Sequence, residues 1–185
     1  MRKTQVKLLW VLIAAICGTA SVSSAAREDH SPALMRVLRA IDIVPSPAQL
    51  ASVTGDHPEG ELYAVALDPT LAEYVRTRAT SLLSVYPNRL SATYLESIAE
   101  LTALLPTRWM AVYTRIRAFQ DAEAVSYATS MLQSPVTRIR HAVIRGLRWV
   151  PGAAATEALR NHLTLEPTER LRKTTKRMLE LRRDA

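Results

Sequence analysis

Apolar residues recur along this chain at the three- and four-residue spacing of amphipathic helices. The clearest examples form a consecutive pair, in which Leu71, Val75 and Leu82 mark one helix and Leu95 and Ile98 mark the next. Extended along the chain, the pattern predicts three helical pairs and a last single helix, at 69–86 with 90–104, 107–119 with 121–132, 135–150 with 153–164, and 167–183. The fold class is therefore predicted to be all-α.

The helical pattern repeats with a period of 32 residues, which is the signature of a repeat architecture. Apolar positions share the phase, because Leu83 and Leu147 lie 64 residues apart, as do Leu95 and Leu159. We expect these leucines to point inward. Four arginines keep the same spacing: Arg76, Arg108, Arg140 and Arg172. All of them except Arg108 follow an aliphatic residue.

Most of the repeated units open with a polar residue before proline, as in Asp68-Pro69, Ser134-Pro135 and Glu166-Pro167. Proline suits the first helical turn, and Asp68 and Ser134 are residue types that cap helix N-termini well. We therefore predict that helices begin at these prolines. The unit that opens at Pro106 has no capping residue before the proline and is the degenerate member.

Residues 27–67 are predicted to form an N-terminal helical cap and loop, since a repeat array needs atypical ends. Ser31-Pro32 and Ser46-Pro47 have the form of helix starts. Residues 54–60 contain two glycines and a proline and are predicted to be a loop. Residues 61–67 are predicted to be the second helix of a decayed repeat.

Three segments carry a family resemblance: Val75-Arg76-Thr77-Arg78-Ala79, Ile139-Arg140-His141-Ala142-Val143 and Leu171-Arg172-Lys173-Thr174-Thr175. They resemble the aliphatic-Arg core of HEAT-like repeats. The resemblance implies a short right-handed α-solenoid of helical hairpins over 68–185, with partners held on its inner surface. It also implies that the repeated arginines bond to acidic or carbonyl groups of the adjacent repeat, with an anion-binding ladder as the alternative. It implies no catalytic activity.

Residues 1–26 have the pattern of a signal peptide, with a basic start (Arg2, Lys3 and Lys7), an apolar run over 8–20 and small residues before the expected cleavage near Ala25 or Ala26. The protein is therefore predicted to be exported, either periplasmic or secreted. The apolar run is short for a membrane span, although an uncleaved anchor is the alternative. Cys17 allows a lipoprotein, but Ile16 before it is large for that signal.

Cleavage would leave a mature chain without cysteine and without a membrane span, so its stability has to come from packing. The whole chain carries a net charge of +7, and this charge is unevenly distributed. Residues 27–133 contain 9 basic and 12 acidic residues, whereas residues 134–185 contain 12 basic and 5 acidic residues. Mature basic residues comprise 19 Arg and only two Lys, Lys173 and Lys176.

These features favour a non-enzymatic protein-interaction scaffold. The 32-residue phase predicts outward positions on the second helices, and these are the expected partner-binding residues: Glu96, Glu100, Thr129, Glu157, Arg160 and Asn161. The alternative is that an anionic polymer or acidic partner binds the Arg-rich C-terminal half, in which Arg177 and Arg182 are expected to remain in solvent. Export makes nucleic acid an unfavourable partner. An accessory enzyme subunit is the third reading, and the oligomeric state stays open.

No catalytic residue, metal site or cofactor is predicted. His57 lies near Asp56 and Glu59, but the surrounding proline and glycines indicate a solvated turn. His141 and His162 could approach each other, although His162 falls at an apolar phase and is expected to be a packing residue. The aromatic residues Trp109, Tyr127 and Trp149 are likewise expected to pack, with a ligand surface as the alternative.

Overall fold

The computed structural model describes residues 30–40, 43–120 and 122–183, so the predicted signal peptide at 1–26 lies outside the described residues. Within these ranges the chain forms ten α-helices and no β-strand, which confirms the all-α prediction. The helices are α1 Pro32–Arg39, α2 Pro47–Thr54, α3 Pro58–Leu67, α4 Glu73–Leu82, α5 Arg89–Leu101, α6 Leu105–Phe119, α7 Ala122–Met131, α8 Thr137–Leu147, α9 Ala153–Leu165 and α10 Glu169–Arg183. None of these helices is long and apolar enough to span a membrane.

The two N-terminal helices begin where the Ser-Pro signals predicted. The Oγ of Ser31 accepts a hydrogen bond from the backbone N of Leu34, and Ser46 forms a reciprocal capping box with Gln49. The predicted loop at 54–60 is shorter than expected, because α3 already begins at Pro58. Gly55, with φ of +75°, makes the turn that separates α2 from α3.

The predicted helix starts at Pro69, Pro135 and Pro167 were wrong, since α4 begins at Glu73, α8 at Thr137 and α10 at Glu169. The oxygen of each expected capping residue accepts from the backbone two residues on: Asp68 Oδ1 from Thr70 N at 2.8 Å, and Ser134 Oγ from Val136 N at 3.2 Å. A short polar side chain used in this way closes a turn ahead of the helix.

One hydrophobic core runs from α1 to α10. Leu83, Leu95, Leu147 and Leu159, which share the 32-residue phase, are all fully buried as predicted. They belong to a single cluster of buried side chains that extends from Leu34 to Leu171.

Helices pack mainly on their neighbours and next neighbours along the chain. We call α4, α6, α8 and α10 the first helices, and α5, α7 and α9 the second helices. Among the first helices, α6 packs on both α4 and α8, and α8 also packs on α10. Chain neighbours pair as well, including α5 with α6 and α9 with α10.

The contact between α6 and α8 requires a glycine. A Cβ built on Gly146 of α8 would lie 2.9 Å from both Cβ and Cγ2 of Ile116 on α6. The Cβ of a β-branched residue in a helix cannot move aside without moving its backbone. Gly146 therefore sets how closely the two helices approach.

We predict that Gly146→Ala destabilises the fold although alanine is the better helix former. The clash with Ile116 should cost about 2–3 kcal/mol, against a helix-propensity gain of about 1 kcal/mol. Gly60→Ala in α3 is the control, because an added Cβ there meets nothing closer than 4.0 Å. Chemical denaturation should give opposite signs for the two variants, and stabilisation by both would contradict the close approach.

Candidate functional site

Two of the repeated arginines, Arg76 and Arg140, are buried. Each donates hydrogen bonds both to a backbone carbonyl earlier in the chain and to a side chain later in the chain. Arg76 donates from Nε to the carbonyl of Ala66 at 3.0 Å and from Nη2 to Thr102 Oγ1 at 3.3 Å. Arg140 donates from Nε and Nη2 to the two carboxylate oxygens of Glu166, both at 2.8 Å, and from Nη1 to the carbonyl of Ser134 at 2.9 Å. Each arginine therefore joins a backbone carbonyl that precedes its own helix to a side chain 26 positions later.

The residues that receive these arginines also close turns. Thr102 Oγ1 accepts from Leu104 N at 3.2 Å, and Glu166 Oε1 accepts from Thr168 N at 2.9 Å. Ser134 makes the same bond midway between them, so the three turn-closing oxygens recur every 32 residues. The period is thus visible in hydrogen bonds as well as in the apolar pattern.

The other two arginines of the ladder differ from this arrangement. Arg172 is half-buried and donates to the carbonyl of Glu166 at 2.8 Å, but its carboxylate partner is the nearby Glu169 at 2.6 Å. Arg108 has a buried Nε, and no hydrogen bond to this atom occurs within the part of the chain that the structure describes. The unit predicted to be degenerate therefore has no bonded arginine at the repeated position.

Arg115 occupies the buried site in that unit instead. It is 1 % exposed, donates from Nε to Glu96 Oε1 at 2.7 Å, and lies over the rings of Phe119 and Tyr127. Period analysis missed Arg115 because it stands seven residues after the repeated position. Its burial could have been predicted from its position four residues after Ala111, which places it on the apolar face of the predicted helix.

Glu166 is the most heavily bonded carboxylate among the described residues, and it is only 2 % exposed. Its hydrogen bond from Arg140, aided by the bonds from Thr168, lowers its pKa from 4.5 to about 2 against the opposing effect of burial. His162 Nε2 lies 2.8 Å from Glu166 Oε2. Burial nevertheless lowers the pKa of His162, with Glu166 opposing this effect and Arg140 adding to it. The lowered pKa favours the neutral form of His162.

Three predicted partner-binding residues meet in one place. Thr129, Glu157 and Asn161 line a groove of about 240 Å³ between α7 and α9, which we call the second-helix groove. Leu165, which is 69 % exposed, also lines the groove, and the buried His162 lies beneath it. The other residues of its lining are Leu132, Gln133, Ala154 and Ala158.

Other predicted partner-binding residues lie elsewhere. Glu100 on α5 and Arg160 on α9 are exposed but do not line the groove. Glu96 was expected to point outward, yet its carboxylate is bound by Arg115 and serves the fold.

Arg177 and Arg182 of α10 have different surroundings. Arg177 is exposed, as the sequence indicated. Arg182 turns inward, and its Nη1 donates to the carbonyl of Leu147 at 2.6 Å and also to that of Val150. Its Nη2 donates to the carbonyl of Gly152 at 2.9 Å. A cation fits here because the last carbonyls of α8 carry the negative end of the helix dipole.

The two histidines that sequence analysis considered together have separate partners. His141 on α8 faces the ring of Trp109 at 6.5 Å between centroids, whereas His162 contacts Glu166. Beside His57, which sequence analysis considered as a metal ligand, Glu59 accepts a hydrogen bond from Asn88 Nδ2 at 2.8 Å. Within residues 30–40, 43–120 and 122–183, no three potential metal-ligating side chains gather in one place.

Comparison with protein families and with curated protein sequences identifies no relative. The chain matches no protein-family model, and no curated protein sequence matches it. The functional argument therefore depends on the residues and contacts described above.

We predict unequal effects for two arginines in the same phase of the repeat. Arg140→Ala leaves the carboxylate of Glu166 buried without its cation and should destabilise the fold by about 3 kcal/mol or more. Arg108→Ala removes no hydrogen bond at Nε and should cost less than about 1 kcal/mol. Equal losses in urea denaturation would show that phase, rather than bonding, determines the role of these arginines.

The lowered pKa of Glu166 predicts a specific pH dependence. Because its pKa is depressed in the folded state, Glu166 contributes stability that is present above pH 4.5 and is lost as the pH falls towards 2. The difference in unfolding free energy between the natural protein and Glu166→Gln should therefore be largest above pH 4.5 and narrow as the pH is lowered to 2. A difference that stays constant over this range would contradict the assignment.

Proposed function

We propose that this protein is a non-enzymatic interaction scaffold that holds a segment of a partner protein in the second-helix groove. The observation that carries the proposal is the meeting of Thr129, Glu157 and Asn161 beside the exposed Leu165. The 32-residue phase of the sequence independently predicts that these three positions contact a partner. Their gathering in one concave place makes a common ligand the simplest role for them.

The polar groups of the groove are available for a ligand. Within the described residues, the side chains of Gln133, Glu157 and Asn161 form neither hydrogen bonds nor ion pairs with the rest of the protein. Two amides and a carboxylate can bond to the backbone N–H and C=O groups of an extended peptide. Leu132 and Leu165 add apolar surface on which a peptide side chain can pack.

The size of the groove favours a peptide over a small-molecule substrate. Its volume of about 240 Å³ is below the range of roughly 300–1,000 Å³ that is usual for small-molecule pockets. The titratable groups beneath it also have structural explanations, since Glu166 neutralises Arg140 and burial favours the neutral form of His162. If this protein is instead an accessory subunit of an enzyme, the enzyme would be the partner that binds in the same groove.

We propose further that the helices form a short right-handed α-solenoid of HEAT-like pairs. Two observations support this arrangement: most helix contacts are between near neighbours in the chain, and the turn bonds of Thr102, Ser134 and Glu166 recur every 32 residues. In such an array the second helices would present a continuous surface to a partner. The proposed location outside the cytoplasm follows from the signal-peptide pattern of residues 1–26.

Capture from the exported fraction tests this proposal. With mature protein from Arg27 as bait, the captured partner should bind the Glu157→Ala/Asn161→Ala variant at least about tenfold more weakly, because each change removes a bond typically worth about 1 kcal/mol. Arg177→Ala is the matched control, since Arg177 is exposed on α10 away from the groove lining. Unchanged affinity in the groove variant would refute this function.

A further inference from the structure

Two neighbouring first helices carry arginine without any acidic residue. The stretches 101–120 and 124–156, which contain α6 and α8, hold seven Arg and no Asp or Glu. Two of the seven, Arg115 and Arg140, are buried and bonded to carboxylates. The guanidinium groups of four others make no hydrogen bond or ion pair within residues 30–40, 43–120 and 122–183: Arg117, Arg138, Arg145 and Arg148.

Aromatic rings hold two of these free arginines in place. Trp109, Tyr113 and Arg117 follow one another at four-residue spacing on α6, and the two rings stack at 5.1 Å. The Cζ of Arg117 lies 5.8 Å from the ring of Tyr113 and 5.3 Å from that of Trp149, while Arg148 lies 4.7 Å from Trp149. Cation–π contact leaves the N–H groups of these guanidiniums free to donate to an anion.

The positive surface continues onto α10. Arg145 of α8 and Arg170 of α10 lie on helices that pack together, and both help burial to lower the pKa of His141. We call Arg117, Arg138, Arg145, Arg148 and Arg170, together with Trp149, the basic face. Sequence analysis expected Trp149 to pack, but 44 % of it is exposed on this surface.

The second helices lack this basic excess, so charge is unevenly distributed between the two sets of helices as well as along the chain. On α5, Glu96 and Glu100 outnumber Arg89, and on α9, Glu157 balances Arg160. Like charges that lie within the screening length of about 8 Å repel one another and destabilise the fold. An acidic ligand on the basic face would relieve this repulsion.

The groove next to the basic face indicates which chemical groups that ligand carries. Between α4, α6 and α8 a groove of about 400 Å³ is lined by Leu105, Pro106, Trp109 and Met110, with Arg138 and His141 at one side. An occupant that fits both parts has apolar groups close to anionic groups. Phosphate polymers have no apolar groups, and nucleobase stacking is disfavoured because Arg117 and Arg148 already lie over Trp149.

We propose that the basic face, with its apolar groove, binds an acidic segment of a protein in which carboxylates alternate with apolar side chains. Guanidinium forks bind carboxylates in a bidentate manner, and the groove between the helices receives the apolar side chains. This surface consists of different residues from the second-helix groove, so the two sites can be tested separately.

Titration of the mature protein with a short synthetic peptide of alternating Glu and Leu tests the inference, with the fluorescence of Trp109 and Trp149 as the signal. Arg117→Gln/Arg145→Gln should weaken binding about tenfold or more, and binding should weaken as salt is raised. Arg89→Gln/Arg160→Gln is the matched control, because it removes the same charge from exposed residues of the second helices and should retain the natural affinity.

Four further ligands and one further variant make the result decisive. A Gln/Leu peptide should bind at least about tenfold more weakly than the Glu/Leu peptide, and so should polyglutamate and inorganic polyphosphate. Tighter binding to polyphosphate or to phosphatidylglycerol vesicles would overturn the proposal in favour of those ligands. Loss of peptide binding in Glu157→Ala/Asn161→Ala would instead assign the peptide to the second-helix groove, and equal weakening by both arginine pairs would indicate unspecific attraction.

Discussion

Arginines that donate hydrogen bonds to carbonyl groups at helix ends and turns hold this fold together. Each helix leaves its last carbonyl groups without an intrahelical partner, and packing several helix ends together shields these groups from water. Arg76 and Arg182 place guanidinium donors against them, at Ala66 and Leu147 respectively, and Arg140 donates to the carbonyl of Ser134 in the turn before α8. Where the buried cation itself needs compensation, Glu166 provides it for Arg140 through two parallel hydrogen bonds. These contacts join the turns and helix ends to neighbouring helices.

The same residue type therefore has two roles in the protein. Arginine is suited to both because its planar fork of five donors can span several carbonyls in the interior, yet can also bind a carboxylate at the surface. Burial alone does not separate the two groups, since Arg182 is only partly buried and is nevertheless fully engaged by carbonyls. Hydrogen-bonding partners separate them. Arg115 and Arg140 are bound to carboxylates, whereas the guanidinium groups of Arg117, Arg138, Arg145 and Arg148 make no hydrogen bond or ion pair within the described residues.

Because first and second helices alternate along the chain, the two proposed binding surfaces consist of different residue types. First helices pack on one another across the close contact at Gly146, so their arginines and aromatic residues become neighbours although they lie about 32 residues apart in the chain. The second helices are more acidic, and their groove between α7 and α9 has amides and leucine in place of arginine. A scaffold with these two proposed sites could hold two protein segments at once.

The sequence by itself determined the helical class, the inward leucines and the helix starts at Pro32 and Pro47, because each follows from spacing or from local capping. It also predicted that Thr129, Glu157 and Asn161 point outward from the second helices, and the structure brings them into one groove. Only the tertiary structure decided which arginines are structural, since the partner of Arg115 is 19 residues away and that of Arg182 is 35 residues away. Likewise, Glu96 has the spacing of an outward residue but pairs with Arg115. Long-range partners of this kind depend on how helices pack, which periodicity along one chain does not record.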